Sequence, residues 1–381
     1  MNRRTMEITI EVTSNCQAKC PGCIRHKVFN PDTDEVSAPP KNWNLPVDIH
    51  HQLIDSIKDE VKYLTYDGSF GDSPFHPDFL ELIEYSASKC TKIQDLSIST
   101  NGSYKPPAFW KKLGEILHKY LPRNHHVMFD LDGVDNETQI MYRVDTNYDK
   151  IIQNAEAFSS GGGNAVWKMI PFDFNEDLVD KAKELAEKHN FYGFQRNRIQ
   201  RVEQKAVKIA LSEQLNELDK MKEEDEDLMN ISDELVEENL KKAKNLIKDI
   251  PVDTNLDAEA NLEKIRENTG ITCKWGTSNR YQISHDGSVW RCCWMNSNYQ
   301  YKTQFDAGGR ENWQRFTKRY NEGWNNLHSN SFSDIIRHDF FTKDLEESFS
   351  NKFDDEVNPK LKVCTTRCSN LSIKLTKRGI Y

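Results

Sequence analysis

The sequence predicts an α/β protein whose leading half builds parallel strands covered by helices. Two observations carry this. Six short strand-like segments recur over residues 6–200, and between them lie five segments whose apolar residues fall at three- and four-residue steps. Such a βα alternation implies parallel strands with helices outside, arranged either as a doubly wound sheet or as a barrel.

The strands are expected at residues 6–13, 61–67, 93–99, 126–131, 165–171 and 192–199. In the first, Ile8, Ile10 and Val12 alternate with Thr9 and Glu11. Helices are expected at 47–58, 78–88, 108–120, 148–158 and 176–189. Ile54 and Ile57, with Val61 one step further at the start of the next strand, follow the apolar spacing of the first, and Leu178, Ala182, Leu185 and Ala186 that of the last. Residues 203–268 differ: glycine is absent, and Glu203 to Glu267 carries ten Lys/Arg against nineteen Asp/Glu. Leucine and isoleucine at helical spacing there predict two or three surface helices, with Glu223–Asp227 a solvated loop. In the last stretch, residues 281–290 predict a hairpin turning at Asp286-Gly287. The expected organisation is residues 1–202, an acidic helical insert or linker at 203–268, and a cysteine-bearing α+β region at 269–381.

The chain of 381 residues has a net charge of −9, so the acidic insert accounts for it and the remainder is near neutral. That argues against a large nucleic-acid footprint, which needs a clustered basic face. No apolar stretch reaches membrane-spanning length, and the first residues lack a signal-peptide core. Nine cysteines in a chain without an export signal point to a reducing, cytoplasmic setting and to metal binding rather than disulfides.

The cysteines carry the chemistry. Cys16, Cys20 and Cys23 are spaced C-x3-C-x2-C on the loop after the first strand. Three thiolates leave a four-coordinate site incomplete, but they can hold three irons of a cubane and leave the fourth open. An open position distinguishes a reactive metal site from a structural one. A zinc site completed by His26 is the alternative for these residues.

This motif resembles the cluster motif of the radical S-adenosylmethionine (radical SAM) enzymes. The resemblance implies a partial (β/α)6 barrel, TIM-like, with chemistry at the C-terminal ends of the strands. It also implies a catalytic [4Fe-4S] cluster whose open iron chelates S-adenosylmethionine and whose electron cleaves it to a 5′-deoxyadenosyl radical, which abstracts hydrogen from a substrate. Gly22 departs from the family, which usually has an aromatic there. Four further segments resemble its cofactor contacts. Gly68–Pro74, with Gly71 and Asp72, is similar to the Gly-Gly-Glu-Pro segment, Asp72 replacing the glutamate. Ser99-Thr100-Asn101-Gly102 matches Ser-Thr-Asn-Gly. Asp130-Leu131-Asp132-Gly133, with trailing Arg143, resembles Ser-Leu-Asp-Gly, Asp130 replacing the serine and Arg143 suited to pair with the methionine carboxylate. Lys168–Pro171, closed by Asn175, matches the fifth strand; read alone, Asn175 is a helix N-cap.

Cys273, followed by Gly287, Cys292, Cys293, Cys364 and Cys368, resembles the opening of the family's SPASM and twitch domains. The five cysteines fit a single auxiliary [4Fe-4S] cluster on Cys273, Cys292, Cys364 and Cys368, with Cys293 the spare that could replace Cys292. A structural four-cysteine zinc site is the alternative. Cys90 is expected to be a helix-end thiol, and His50, His51, His125, His126, His285 and His328 to be structural. The reading implied by the resemblance is a radical SAM enzyme, oxidoreductase or maturase, acting for a net oxidation or modification of a peptide or protein, with a flavodoxin- or ferredoxin-like one-electron reductant. Dehydrogenation of a sugar-like small molecule, or a non-catalytic iron–sulfur electron carrier, are the alternatives.

Overall fold

The computed structural model describes residues 5–21, 23, 25, 43–197, 266–301 and 309–368. The acidic helices expected at 203–265, and Gly22 and His26, lie outside the described residues.

Six strands run parallel: β1 (Met6–Ile10), β2 (Val61–Tyr66), β3 (Asp95–Thr100), β4 (His125–Asp130), β5 (Ala165–Met169) and β6 (Gly193–Arg196). Between them lie α1 (Val47–Ile57), α2 (Phe79–Lys89), α3 (Pro107–Tyr120), the short α4 (Asn136–Ile140), α5 (Tyr148–Ser160) and α6 (Val179–Lys188). This is the α/β fold expected, a partial (β/α)6 barrel. The hairpin of β7 (Arg280–Ile283) and β8 (Val289–Trp290) does not form a separate sheet. Strand β7 pairs in parallel with β1, giving one eight-stranded order β6-β5-β4-β3-β2-β1-β7-β8. The turn falls at the expected dipeptide, with Gly287 at φ +80°, a conformation open to glycine without strain.

The alternation of each strand decides what lies on either side of the sheet. Ile8, Ile10, Leu64, Tyr66, Leu96, Ile98, Val127, Phe129, Trp167 and Met169 are buried, and they share one core with Leu53, Ile54, Leu82, Ile83, Trp110, Leu113, Ile151 and Phe158 of the helices. Parallel strands buried on both faces read as continuous apolar runs. Here the opposite face is mostly polar: Glu7, Thr9 and Glu11 from β1 and its extension, Tyr63 and Thr65 from β2, Asp95, Ser97 and Ser99 from β3, His126 and Asp130 from β4 and Lys168 from β5, with Met128 and Val166 the apolar exceptions. That face is a polar-walled lumen, with a cavity of about 270 Å³ lined by Glu7, Thr9, Tyr63, Thr65, Asp95 and Arg280.

Beyond the hairpin, Trp290 is buried among Tyr299, Trp313, Trp324 and Phe340, with ring centroids 4.9–6.1 Å away. Cys90 caps the end of α2 in the core, as expected of a helix-end thiol. His50 is fully buried, with Nε2 2.8 Å from the Tyr66 hydroxyl. Burial holds its pKa down at about 3, whereas the unfolded chain takes up that proton near 6.5. Stability from this group is therefore complete above pH 6.5 and falls as pH drops toward 3, by about 1.4 kcal/mol per unit. His50→Gln keeps a partner for Tyr66 and is expected to flatten that fall by one proton's worth, read from urea midpoints at pH 7 and pH 4.5. An unchanged slope would assign the acid sensitivity elsewhere.

Candidate functional site

The extension of β1 leads into the cysteine loop. Cys20 is buried, and Cys16 and Cys23 are partly so. A turn joins the last two, the Cys23 amide donating to the Cys20 carbonyl at 3.0 Å. Arg25 Nη1 donates to the Cys16 carbonyl at 2.7 Å, and the Lys19 amide donates to the Val144 carbonyl at 3.0 Å, tying the loop to the segment after α4. Burial pushes the Cys20 thiol up to about 12, eased by the Arg143 guanidinium, and pushes Cys16 up as well. The neighbouring Arg143 and Arg25 do not outweigh burial, and a thiophilic metal group is what would balance the ionised thiols. Among the described residues, no three His, Cys, Asp or Glu side chains stand at metal-ligand spacing of one another.

Three of the expected segments meet at Cys16. Asn101 Nδ2 lies 3.6 Å from Cys16 Sγ and 2.8 Å from Asp72 Oδ2, and Gln17 Nε2 donates to Asn101 Oδ1 at 2.9 Å. Asp72 also accepts from the Thr100 hydroxyl at 3.1 Å and the Asn101 amide at 3.2 Å. Burial raises the Asp72 carboxyl to about 7, against the pull of these donors. The loop before Asp72 passes so close to the β1 extension that a Cβ on Gly71 would lie 2.0 Å from the Thr13 carbonyl oxygen.

A second network stands at the ends of β4 and β5. Arg143 pairs through Nε with Asp132 at 2.6 Å and through Nη1 with Asp130 at 3.3 Å. Lys168 Nζ bridges Asp130 at 3.1 Å and the Ser99 hydroxyl at 2.8 Å. Burial alone would lower Lys168, but the Asp130 and Asp67 carboxylates outweigh it and hold its pKa up.

Asp132 departs from the expected cofactor contact. It is fully buried, with Oδ2 on Arg143 and Oδ1 accepting from the Ile170 amide at 2.6 Å, so its place is behind Arg143. Asn175 is not a side-chain cap either. Its Nδ2 donates to the carbonyls of Asp132 at 2.7 Å and Ile170 at 3.1 Å, joining the two strand-end loops. Gln139 escaped sequence reading. It is buried, accepts from the Asp132 and Gly133 amides at 2.9 and 3.0 Å, and so fixes the turn that carries Asp130.

The C-terminal cysteines lie within electrostatic reach of one another. Burial and the neighbouring Cys292, Cys368 and Cys273 push the Cys364 thiol up, and burial followed by Cys293, Cys273 and Cys368 does the same to Cys292. The Thr272 amide donates to the Cys368 carbonyl at 3.1 Å, which brings the two ends of the region together. Burial and the Asp67 carboxylate raise Cys293 to about 11, while Arg280 opposes them. Arg280 itself lies over the Trp275 ring at 4.1 Å and donates to the Thr9 hydroxyl at 3.2 Å.

Residues 10–187 match the family described as the Radical SAM superfamily. No curated protein matches the chain. Among solved structures, Streptococcus suis SuiB bound to S-adenosylmethionine is 13% identical over 81% of this chain, with a TM-score of 0.47, and this chain spans 64% of that one. A second SuiB structure is 14% identical over 91% of this chain and 68% of its own, with a TM-score of 0.50. Native anSMEcpe with bound AdoMet is 14% identical over 89% of this chain and 82% of its own, with a TM-score of 0.48. BtrN in complex with AdoMet and 2-DOIA is 11% identical over 98% and 96%, with a TM-score of 0.42. At these identities the likeness is one of fold. Among the described residues, no helix is long and apolar enough to cross a membrane.

Proposed function

We propose that the radical SAM domain of residues 10–187 makes this chain an enzyme that reductively cleaves S-adenosylmethionine and takes a hydrogen atom from a substrate. The observation that carries the reading is the junction at Cys16, where Asn101 meets both its thiol at 3.6 Å and Asp72 at 2.8 Å. Three segments far apart in sequence, each assigned to one cofactor, are thereby joined in space.

Cys16, Cys20 and Cys23 would hold the [4Fe-4S] cluster, and S-adenosylmethionine would occupy its open iron. When bound, the pair supplies one-electron cleavage of a carbon–sulfur bond and a species able to take hydrogen. Around it the chain's own groups do the positioning. Asp72 takes three donors from Thr100 and Asn101, fixing the amide side chain that faces Cys16. Asp130 and Asp132 hold two edges of the Arg143 guanidinium beside Cys20, and its remaining edge suits a carboxylate of the cofactor. Gly71 and Ser99 line the same strand ends, Ser99 already engaged by Lys168.

The polar lumen supports a hydrophilic substrate, which we read as a peptide or protein undergoing net oxidation or modification. The hydroxyl and charged groups at the strand ends, Ser99, Asp130 and Lys168, would equally suit a sugar-like small molecule, whose dehydrogenation is the second reading. Cys273, Cys292, Cys364 and Cys368 would hold an auxiliary [4Fe-4S] cluster able to accept an electron, and a flavodoxin- or ferredoxin-like protein would reduce the first. Cys293, adjacent to Cys292, is the spare that could replace it as the ligand. Equilibrium dialysis of the anaerobically reconstituted chain should retain about one S-adenosylmethionine per chain at micromolar concentration. Absence of retention by a fully iron-loaded chain would remove the reading.

A further inference from the structure

We infer that Glu11 and His285 form a buried strut that holds the loop at 68–72 in place, so that the C-terminal segment helps set the affinity for S-adenosylmethionine. This role rests on the reading of that loop as a cofactor contact. Neither residue is adjacent to the cysteines in sequence.

Glu11 continues the inward-facing series Glu7, Thr9, Glu11 beyond β1, and its side chain is 1% exposed. Its Oε1 accepts from the Phe70 amide and, at 3.2 Å, from the Gly71 amide. These are the two residues that lead into Asp72. A Cβ on Gly68 would lie 3.1 Å from the same carboxylate oxygen, so the loop is drawn tightly onto it. His285 arrives from the end of β7. Its side chain is fully buried, with Nδ1 3.7 Å from Glu11 Oε2. Phe70 and Trp43 flank its ring with centroids 5.8 and 6.0 Å away. The Glu11 amide donates to the Ile283 carbonyl at 2.9 Å, which locks the two strands at that level.

The chemistry explains why the pair belongs together. A carboxylate inside the fold is expensive unless donors or a neighbouring dipole or charge balance it; Oε2 accepts no hydrogen bond from the described residues, and the His285 imidazole, with Nδ1 3.7 Å away, is the polar group packed against it. Burial raises the Glu11 carboxyl, and His285 is the largest influence opposing it, ahead of the two loop amides. As a carboxylate Glu11 is the stronger acceptor for those amides. Removing His285 weakens that grip at a distance. Continuity then runs from His285 through Glu11 to Phe70 and Gly71, on to Asp72 and Asn101, and so to Cys16.

The test uses the full chain with Glu11→Ala, His285→Phe, their combination, and His285→Gln as the conservative change. Amide exchange at Phe70 and Gly71 is followed in the iron-free protein, and KM and kcat for S-adenosylmethionine in the reconstituted one. Each single change should speed exchange at both amides and raise KM about tenfold, with kcat within about threefold, and the combination should be no worse than Glu11→Ala alone. His285→Gln should keep most of the parent's KM. Unchanged exchange in either single variant, or effects on KM that simply add, would overturn the strut. A parent chain that binds no S-adenosylmethionine overturns the functional reading and the affinity claim together, while the exchange result still decides whether the strut exists.

Discussion

Replacing Cys20 with alanine should abolish S-adenosylmethionine cleavage, a loss of about a thousandfold or more, equivalent to about 4 kcal/mol of barrier. Cys20 is the buried thiol of the first loop, and it lies beside both Cys23 and the Arg143 guanidinium. Its removal leaves two thiols, too few to keep three irons and an open fourth. Iron analysis separates this from general damage. The parent should carry about eight irons per chain, and Cys20→Ala about four, retained on the C-terminal thiols. With Cys292 as the ligand and Cys293 the spare, Cys292→Ser should lose the C-terminal set and Cys293→Ser none; the reverse pattern would exchange the two roles. Cleavage surviving in Cys20→Ala would show that the reactive centre lies elsewhere.

Arg143→Met should be the most damaging change outside the cysteines. One guanidinium serves Asp132 at 2.6 Å and Asp130 at 3.3 Å, and the Asp132 side chain has no exposure at all. Without the cation, burial leaves Asp132 as an uncompensated charge or forces it to take up a proton, since its carboxyl is already raised. Breaking a buried pair in this way costs about 3–5 kcal/mol. Lysine is no substitute, being a point charge where two carboxylates meet a planar fork. Adding Asp132→Asn to Arg143→Met removes the stranded charge and should recover much of the stability. It should not recover affinity for S-adenosylmethionine, which is expected to remain at least about tenfold weaker because the cationic edge is gone. Recovery of both together would make Arg143 a purely structural residue.

The strands and their long helices were legible because burial on one face writes a period into the sequence. Ile8 and Ile10, or Leu64 and Tyr66, alternate with residues that the lumen leaves polar, and the observed bounds differ from the expected ones by a few residues at most. Helix α4 was not legible. Its five residues are too few to show a period, and its mark is the reciprocal cap between Asp135 and Thr138. Nor was the pairing of β7 with β1, since register between residues 7 and 280 leaves no local trace. At the expected site, spacing announced the cysteines, and the family resemblance pointed to Asn101 and Arg143. The residues that hold them in place gave no such sign. Glu11 reads as one more polar position on a strand, Gln139 as a helix-surface amide, and His285 as a turn residue. Their importance comes from being buried against segments distant in sequence. Asp132, like Asp72, is a motif residue whose oxygens are engaged by the protein itself, which no local pattern announces.

The measurement closest to the central claim is 5′-deoxyadenosine released by the anaerobically reconstituted, reduced chain given S-adenosylmethionine, compared with a Cys16/Cys20/Cys23 triple-alanine control. The account predicts release by the parent and none above background by the control. Equal yields from the two, or no release from a parent whose first loop is loaded with iron, would contradict it.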